Sequence, residues 1–404
     1  MKRLLEDAML IKEIKLALLD YHKNKGYRFF ESFPLVSSDP TVMFINATIT
    51  PFKHCFLSEE RPTDYAFIQR CFRMGGASEL DLVGINPYYH TFFEMFGSGT
   101  FSISYNEAVS YLLELLNLLS FKQKQVYFIV PKEERFKESL IANNIKPSHI
   151  FSLGSKKLFW QEWKFGKFGP VGSGLTVIYS RSSNQICSLN QIIKGSNEFI
   201  ELANLINVYG QEMSDESIVP IKNPGFEFAV GIERLAATLQ SCNNYQIDTI
   251  SPLTRLVASF IKEKDCCPDD ATVRLLTDHL RGICILTDEG LKPSNKRHGY
   301  VFRKLIRKTL ERFWIITKQI CSIEPLVKQF CSQFNQCSEE KISSTKVAEV
   351  VTEETKVFLI GIERAKKILK KNPTISNAVL LDTYGLSQTL IPVLEKEEKN
   401  EHNK

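Results

Sequence analysis

The strongest constraint on the fold is a change of periodicity near Asn243. Upstream, short runs rich in β-branched and aromatic residues recur between turn residues: FFESFPLV, VMFINATI, AFIQRCFR, HTFFEMFG, VYFIVP and LTVIYS. Downstream, apolar residues fall at helical spacing in PLTRLVASFIKE, ATVRLLTDHLRGICIL, GYVFRKLIRKTLERFWIITKQI and the stretch 346–371. Short apolar runs between turn signals make strands, and 3.6-residue periodicity makes helices. The pattern therefore predicts an α+β domain over 1–245 and a helical domain over 246–390. The residues from 391 to 404 end in EKEEKNEHNK, a composition expected to stay unstructured. A chain of 404 residues is long enough for two such domains.

Helices are also expected in the first part. Leu10, Ile14, Ala17, Leu18 and Tyr21 share one helical face ahead of Gly26, and residues 105–120 carry a strong helix pattern. Phe199–Val208 fits a helix or a strand, 209–225 reads as a loop, and 226–241 begins extended and continues as a helix.

Charge and cysteine usage narrow the function classes. The net charge of +5 permits an anionic partner without requiring one, so the placement of the charges decides. Ten cysteines without a C-x-x-C pair point to reduced thiols in a cytoplasmic protein rather than a disulfide framework. The N-terminal segment carries Glu6 and Asp7 within an amphipathic pattern, which is poor composition for a targeting peptide. No apolar run is long enough to span a bilayer, so no membrane partner is expected.

The first candidate site centres on QRCFRMGG, residues 69–76. Arg73 closes one strand, and GGASELDLVGINPYY forms a loop before HTFFEM returns. Two antiparallel strands joined in this way would gather Arg73, Glu79, His90 and Glu94 on one surface. Arginine offers bidentate contact to phosphate, and Gly75 and Gly76 permit close backbone approach. A surface salt bridge from Arg73 to Glu79 or Glu94 explains the same residues. A second arginine, Arg234 in VGIERLA, acquires meaning only if it converges with Arg73. FGSGTF lacks the G-K-[ST] ending of a phosphate loop, and GPVGSG lacks the strand–helix setting of a dinucleotide fingerprint. No metal-ligand spacing of His and Cys is present.

The helical part offers a second site. In SNKRHGYVFRKLIRK, Arg303 and Arg307 are i,i+4 neighbours, as are Lys304 and Lys308, with Lys296 and Arg297 just ahead. No acid interrupts this stripe until Glu311. It reads either as a solvated helix face or as a phosphate-backbone contact.

Taken in order, these motifs resemble the alanine–tRNA ligases, which are class II aminoacyl-tRNA synthetases. DPTVMFINATITPFKHCF (39–56) is similar to the family's first motif, and QRCFRMGG with HTFFEMFG to its second. FW (159–160), GPVGSG and IERLAATLQ resemble the segments up to its third. DHLR (278–281) and PSNKRHGYVFRKLIRK (293–308) resemble its acceptor-stem recognition domain, and LDTYGL (381–386) the junction with its editing domain.

The resemblance implies an antiparallel sheet flanked by helices, followed by a helical tRNA-binding domain. It implies ATP and Mg²⁺ as cofactors, alanine and tRNA as partners, no DNA, and formation of alanyl-adenylate followed by transfer to tRNA. Arg73 would hold the α-phosphate and Arg234 the γ-phosphate, with Glu79, His90, Phe93, Glu94 and Met95 around the nucleotide. The amino-acid pocket would consist of Trp160, Asn204, Ile206, Glu227 and Ala229. Asn295 and Arg307 would read the acceptor stem beside Arg297, Arg303, Lys304 and Lys308, with Asp278 and Arg281 as supports. The family's editing domain with its zinc ligands, and its C-terminal region, have no counterpart in this sequence, so no zinc site is expected.

Four places in the sequence depart from the family pattern. Glu227 replaces an Asp and Ala229 a Gly. Ala77-Ser78-Glu79 stands where a Lys-His-Asn-Asp run is usual, and Gly174-Leu175-Thr176 where Cys-Thr-Glu is usual. The competing expectations are a relative that activates another small amino acid for a non-translational acceptor, and a non-catalytic tRNA-binding protein.

Overall fold

Tyr65–Phe72 alternates Tyr65, Phe67, Gln69 and Cys71 with Ala66, Ile68, Arg70 and Phe72, a composition that suits a central strand covered on both sides. In the computed structural model it takes that place. The structure describes residues 8–60, 62–74, 82–132, 134–152, 162–182, 188–194, 198–317, 322–372, 375–377, 379–380 and 390–402. Glu79, Trp160, the glycines Gly75 and Gly76, and LDTYGL (381–386) lie outside the described residues.

The chain divides into two compact units, Met1–Arg73 with Phe92–Asp248, and Met74–Thr91 with Thr249–Lys404. The linear reading expected one break near 245. It could not foresee that the segment joining the two strands of the second motif groups with the helical unit.

The first unit is built on one sheet. Its strands are β1 (Arg28–Phe30), β2 (Tyr65–Phe72), β3 (Phe92–Phe101), β4 (Val126–Val130), β5 (Ile150–Ser152), β6 (Glu162–Lys164), β7 (Pro170–Ser180), β8 (Phe199–Glu212) and β9 (Ile218–Gly231). They lie in the order β1-β2-β3-β9-β8-β7-β4-β5, with β6 added beside β7. The β1–β2 and β4–β5 pairs are parallel, and the others are antiparallel. The helices of this unit are α1 (Ile11–Asn24), α2 (Lys53–Leu57), α3 (Tyr105–Leu118), α4 (Glu134–Ala142), α5 (Leu189–Lys194) and α6 (Ile232–Leu239).

Two layers cover this sheet. On one side His22 of α1 bonds the Leu18 carbonyl and the Tyr111 hydroxyl of α3, each at 2.6 Å, and Tyr111 meets Ser98 of β3 at 2.6 Å. Burial lowers the His22 pKa to about 4, so the ring is a neutral packing element. On the other side Phe52, Phe56, Tyr65, Phe67 and Phe101 form an aromatic cluster with Ile206 and Val208. The Phe52 and Tyr65 rings stack at 3.8 Å, which ties the 46–52 turn down onto the sheet.

Three expectations are corrected. VMFINATI contributes a single bridge, Val36 to Phe44, and then turns into a short helical segment at Thr50–Phe52. Pro40 and Pro51 bracket it and neither can donate to a ladder. The same reason limits FFESFPLV to Arg28–Phe30, because Pro34 follows closely. The expected loop 209–225 is largely strand: β8 and β9 form a long hairpin whose turn uses Asp215 to accept from the Ser217 amide at 3.1 Å and Glu216 at φ 67°.

The second unit is helical: α7 (Ser251–Lys262), α8 (Asp270–Asp288), α9 (Arg297–Thr317), α10 (Glu324–Cys337), α11 (Ser344–Lys371) and α12 (Ile391–His402). Helix α8 runs through its core, buried continuously from Leu276 to Thr287. Residues 391–402, expected as an unstructured tail, form α12 instead. Leu390, Ile391 and Leu394 at its start are fully buried, and that apolar anchor outweighs the charged sequence behind it. No helix among the described residues is long and apolar enough to cross a membrane.

Candidate active site

The register of the sheet converts distant sequence positions into neighbours. Across β3 and β9, Met95 lies opposite Gly231, Gly97 opposite Ala229, and Gly99 opposite Glu227. Across β8 and β9, Asn204 lies opposite Ala229 and Ile206 opposite Glu227. Directly opposed residues share a face, so Met95, Glu227, Ala229, Asn204 and Ile206 form one patch on the aromatic-cluster side.

Thr48 closes the deep end of this patch. A side chain at Gly97 would bring its Cβ to 2.3 Å from the Thr48 Cβ, so the glycine makes room for the threonine. The turn bearing Thr48 is pinned from both sides. The Phe72 amide donates to the Ile45 carbonyl at 2.9 Å, Arg73 Nε to the Asn46 carbonyl at 3.0 Å, and the Thr50 amide to the Ala47 carbonyl at 3.2 Å. The Thr48 hydroxyl then donates to Glu227 Oε1 at 2.7 Å. Glu227 is 1% exposed, and burial raises its pKa to about 8 against the opposing effect of that hydrogen bond. Near neutral pH the carboxyl therefore favours its protonated form.

Arg73 extends β2 on the same face. Its side chain is exposed, and the guanidinium lies 4.9 Å from the centre of the Phe93 ring. Arg234, in the first turns of α6, donates from Nη1 to the Glu201 carbonyl at 3.0 Å. A Cβ on Gly231 would point to the Ala229 face and meet the Arg234 Cβ at 3.9 Å. Both β2 and β9 are antiparallel to β3, so they run in the same direction. Arg73 and Arg234 thus follow strands that end on the same side of the sheet, and the Arg234 guanidinium reaches across to Glu201 on β8. Beside Arg234, Glu201 Oε1 accepts from Asn204 Nδ2 at 3.1 Å, and Thr176 donates to Asn204 Oδ1 at 2.8 Å.

Glu94 is a correction. Strand alternation turns it to the opposite face from Phe93 and Met95, where its carboxylate pairs with Lys15 of α1 at 2.7 Å. It neither bridges Arg73 nor faces the patch. His90 also departs from expectation: its side chain is 2% exposed, and Nδ1 lies 3.1 Å from Asp278 of α8, within the second unit. Asp278 takes the Thr91 amide as well, at 3.0 and 3.1 Å from its two oxygens. Its hydrogen bonds to His90 and Thr91 hold its pKa below the usual carboxylate range despite full burial. His90 and Asp278 therefore act together to anchor the end of the 82–91 segment to α8.

The basic stripe of α9 proves to be two different things. Arg303 Nε donates to Glu354 Oε2 at 3.1 Å and Arg307 Nε to Glu354 Oε1 at 2.7 Å, and Asn295 accepts from Arg303 Nη1. Glu354 belongs to α11 and its side chain is 4% exposed. Lys296, Arg297 and Lys304 are instead exposed, around Tyr300 at 53% exposure. Arg281 is buried, with Asp278.

Residues 13–401 match the family described as tRNA synthetases class II (A). The chain belongs to the class II tRNA synthetases. It is 28% identical over 419 residues to an alanine–tRNA ligase of Chlorobaculum tepidum, covering 96% of this chain and 46% of that one. It is 31% identical over 402 residues to an alanine–tRNA ligase of Buchnera aphidicola subsp. Schizaphis graminum, covering 92% of this chain and 45% of that one. The chain thus spans about half the length of the curated relatives it matches. The antiparallel sheet flanked by helices is the class II synthetase fold, with a helical region after it.

Sequence reasoning missed several groups in this synthetase. The Asn46 carbonyl and the Thr48 hydroxyl come from a turn that carries no periodic signal. Glu354 did leave a trace: with Val347, Val351 and Phe358 it sits on the apolar stripe of α11, where an acid needs a buried partner.

Proposed function

We propose that the chain activates alanine with ATP and transfers it to tRNA. The supporting observation is a sheet face with Arg73 at the end of β2, Arg234 in the helix just after β9, and a buried carboxyl, Glu227, farther in. A substrate lying along this face would place its ammonium toward Glu227 and its carboxylate toward Arg73. Arg73 would hold the α-phosphate, and Arg234 the far end of the triphosphate.

In the first step a carboxylate oxygen of the amino acid bonds to the α-phosphorus as the bond to the β-phosphate breaks, releasing diphosphate. In the second, a terminal tRNA hydroxyl attacks the acyl carbonyl and AMP leaves. Neither step needs a strong base; both need in-line placement and stabilisation of developing negative charge. The exposed Arg73 guanidinium, set by the Asn46 carbonyl and the Phe93 ring, suits that role. Phe93 and Met95 lie on the same face, where they would border the nucleotide, and Ala229, Asn204 and Ile206 would border the amino acid.

Magnesium fits as an ion brought with the nucleotide. Glu201, with Asn204 and next to Arg234, offers a carboxylate where phosphate oxygens would supply most ligands. The ion would neutralise phosphate charge. In the helical unit, Lys296, Arg297 and Lys304 around Tyr300 supply the positive charge for the tRNA backbone, and reduced cysteines suit a protein working in the cytoplasm.

The test is amino-acid-dependent exchange of labelled diphosphate into ATP by the purified protein. Alanine should drive exchange well above other amino acids. Exchange equal to the amino-acid-free background with every amino acid would reject the proposal.

A further inference from the structure

We infer that Thr48 is the residue that sets the size limit of the amino-acid pocket and positions Glu227 to receive the substrate ammonium. The inference deepens the activation reading and rests on it. Three observations carry it. First, Thr48 fills the space that Gly97 leaves: its Cβ, Oγ1 and Cγ2 lie 2.3, 2.5 and 2.6 Å from where a Gly97 Cβ would stand. Gly97 is opposite Ala229, so the Thr48 methyl and hydroxyl occupy the volume beside Ala229. Second, the Thr48 hydroxyl binds Glu227 Oε1 at 2.7 Å, which leaves Oε2 as the oxygen free to meet an ammonium. Third, the turn is fixed by backbone bonds independent of Glu227: Phe72 to Ile45, and Thr50 to Ala47. Thr48 is fully buried, and it does not move aside as a surface side chain would.

Together these features divide the work. The Thr48 hydroxyl orients the longer, more flexible Glu227 side chain, and its methyl group limits how far a substrate side chain can extend toward Gly97. The pocket should therefore prefer the smallest amino acids, alanine and glycine, over those one methylene larger.

Three variants separate the two roles. Thr48→Ser keeps the hydroxyl and removes the methyl, Thr48→Val keeps the volume and removes the donor, and Thr48→Gly removes both. Diphosphate exchange would be compared for alanine, serine and 2-aminobutyrate, and calorimetric binding of the same amino acids without ATP would accompany it. Thr48→Ser should raise the ratio of kcat/KM for 2-aminobutyrate to that for alanine by roughly 10-fold. Thr48→Val should raise the alanine KM by roughly 10–100-fold with a smaller change in kcat, while size selectivity persists. Thr48→Gly should show both effects, and its fold is checked by thermal melting.

An unchanged alanine KM in Thr48→Val, or an unchanged 2-aminobutyrate-to-alanine ratio in Thr48→Ser, would overturn the assignment. If wild type binds alanine but exchanges no diphosphate, the activation reading fails, and the affinity ratios alone decide the role of Thr48. Wild type binding no small amino acid would overturn both.

Discussion

The two clusters of arginine in this chain look alike in sequence and differ in what surrounds them. On the sheet, Arg73 is exposed: Nε is fixed by the Asn46 carbonyl, and the guanidinium lies over the Phe93 ring. On α9, Arg303 and Arg307 are bound to Glu354, which arrives from α11. A backbone carbonyl and a ring orient a guanidinium without neutralising it, whereas Glu354 fixes both guanidiniums and offsets one of their two charges. The lesson is that a basic pattern says where charge lies along the chain, and a distant acid decides whether that charge is available.

The most severe test of this contrast is Arg73→Ala. If the Arg73 guanidinium acts on a phosphate in the transition state, its loss should lower diphosphate exchange by roughly 10²–10³-fold, the scale for removing one such charge-stabilising group. Thermal stability should change little, because the side chain is exposed. Arg73→Lys should recover only part of the rate, since an ammonium lacks the planar fork. A variant that melts much lower while exchanging normally would place Arg73 among structural residues instead.

Glu227 sharpens the comparison from the acid's side. Its folded pKa of about 8 lies above the unfolded value of 4.5, so between these values the native state binds the extra proton. Stability must therefore fall as pH rises from about 4.5 to 8, and level off above that range. Glu227→Gln removes the titration but keeps an acceptor for Thr48. The melting temperature of the variant relative to wild type should rise steadily from pH 5 to pH 8.5, by an amount on the order of a few kcal/mol in stability. Parallel melting curves across that range would show that Glu227 is ionised and compensated in the folded protein.

The parts legible from sequence were those governed by periodicity. β2, β3, α3 and the helices α7, α8, α9 and α11 follow directly from their patterns, and Arg73 falls where the end of β2 places it. What stayed illegible depended on contacts between segments far apart in sequence. Glu94 was misplaced because proximity to Arg73 in sequence hid the strand alternation that sends it toward Lys15. His90 was misplaced because its partner, Asp278, lies 188 residues away. Thr48 carried no signal at all, since its neighbours meet only once the register sets Gly97 opposite Ala229 and Gly99 opposite Glu227.

The smallest effect, and the finest test of the opening contrast, separates Lys304 from Arg307 on the same helix. Lys304 is exposed, whereas Arg307 binds the buried Glu354 at 2.7 Å. If Lys304 meets RNA phosphate, Lys304→Ala should reduce the slope of log affinity against log salt by about one counterion and leave melting unchanged. Arg307→Ala should do the reverse. It leaves Glu354 with Arg303 alone, so melting should fall by an amount equivalent to about 1–3 kcal/mol while the salt slope moves less than for Lys304. Equal slopes for the two variants would mean that Arg307 exchanges Glu354 for phosphate when RNA binds, and the division drawn here between paired and available charge would then fail on α9.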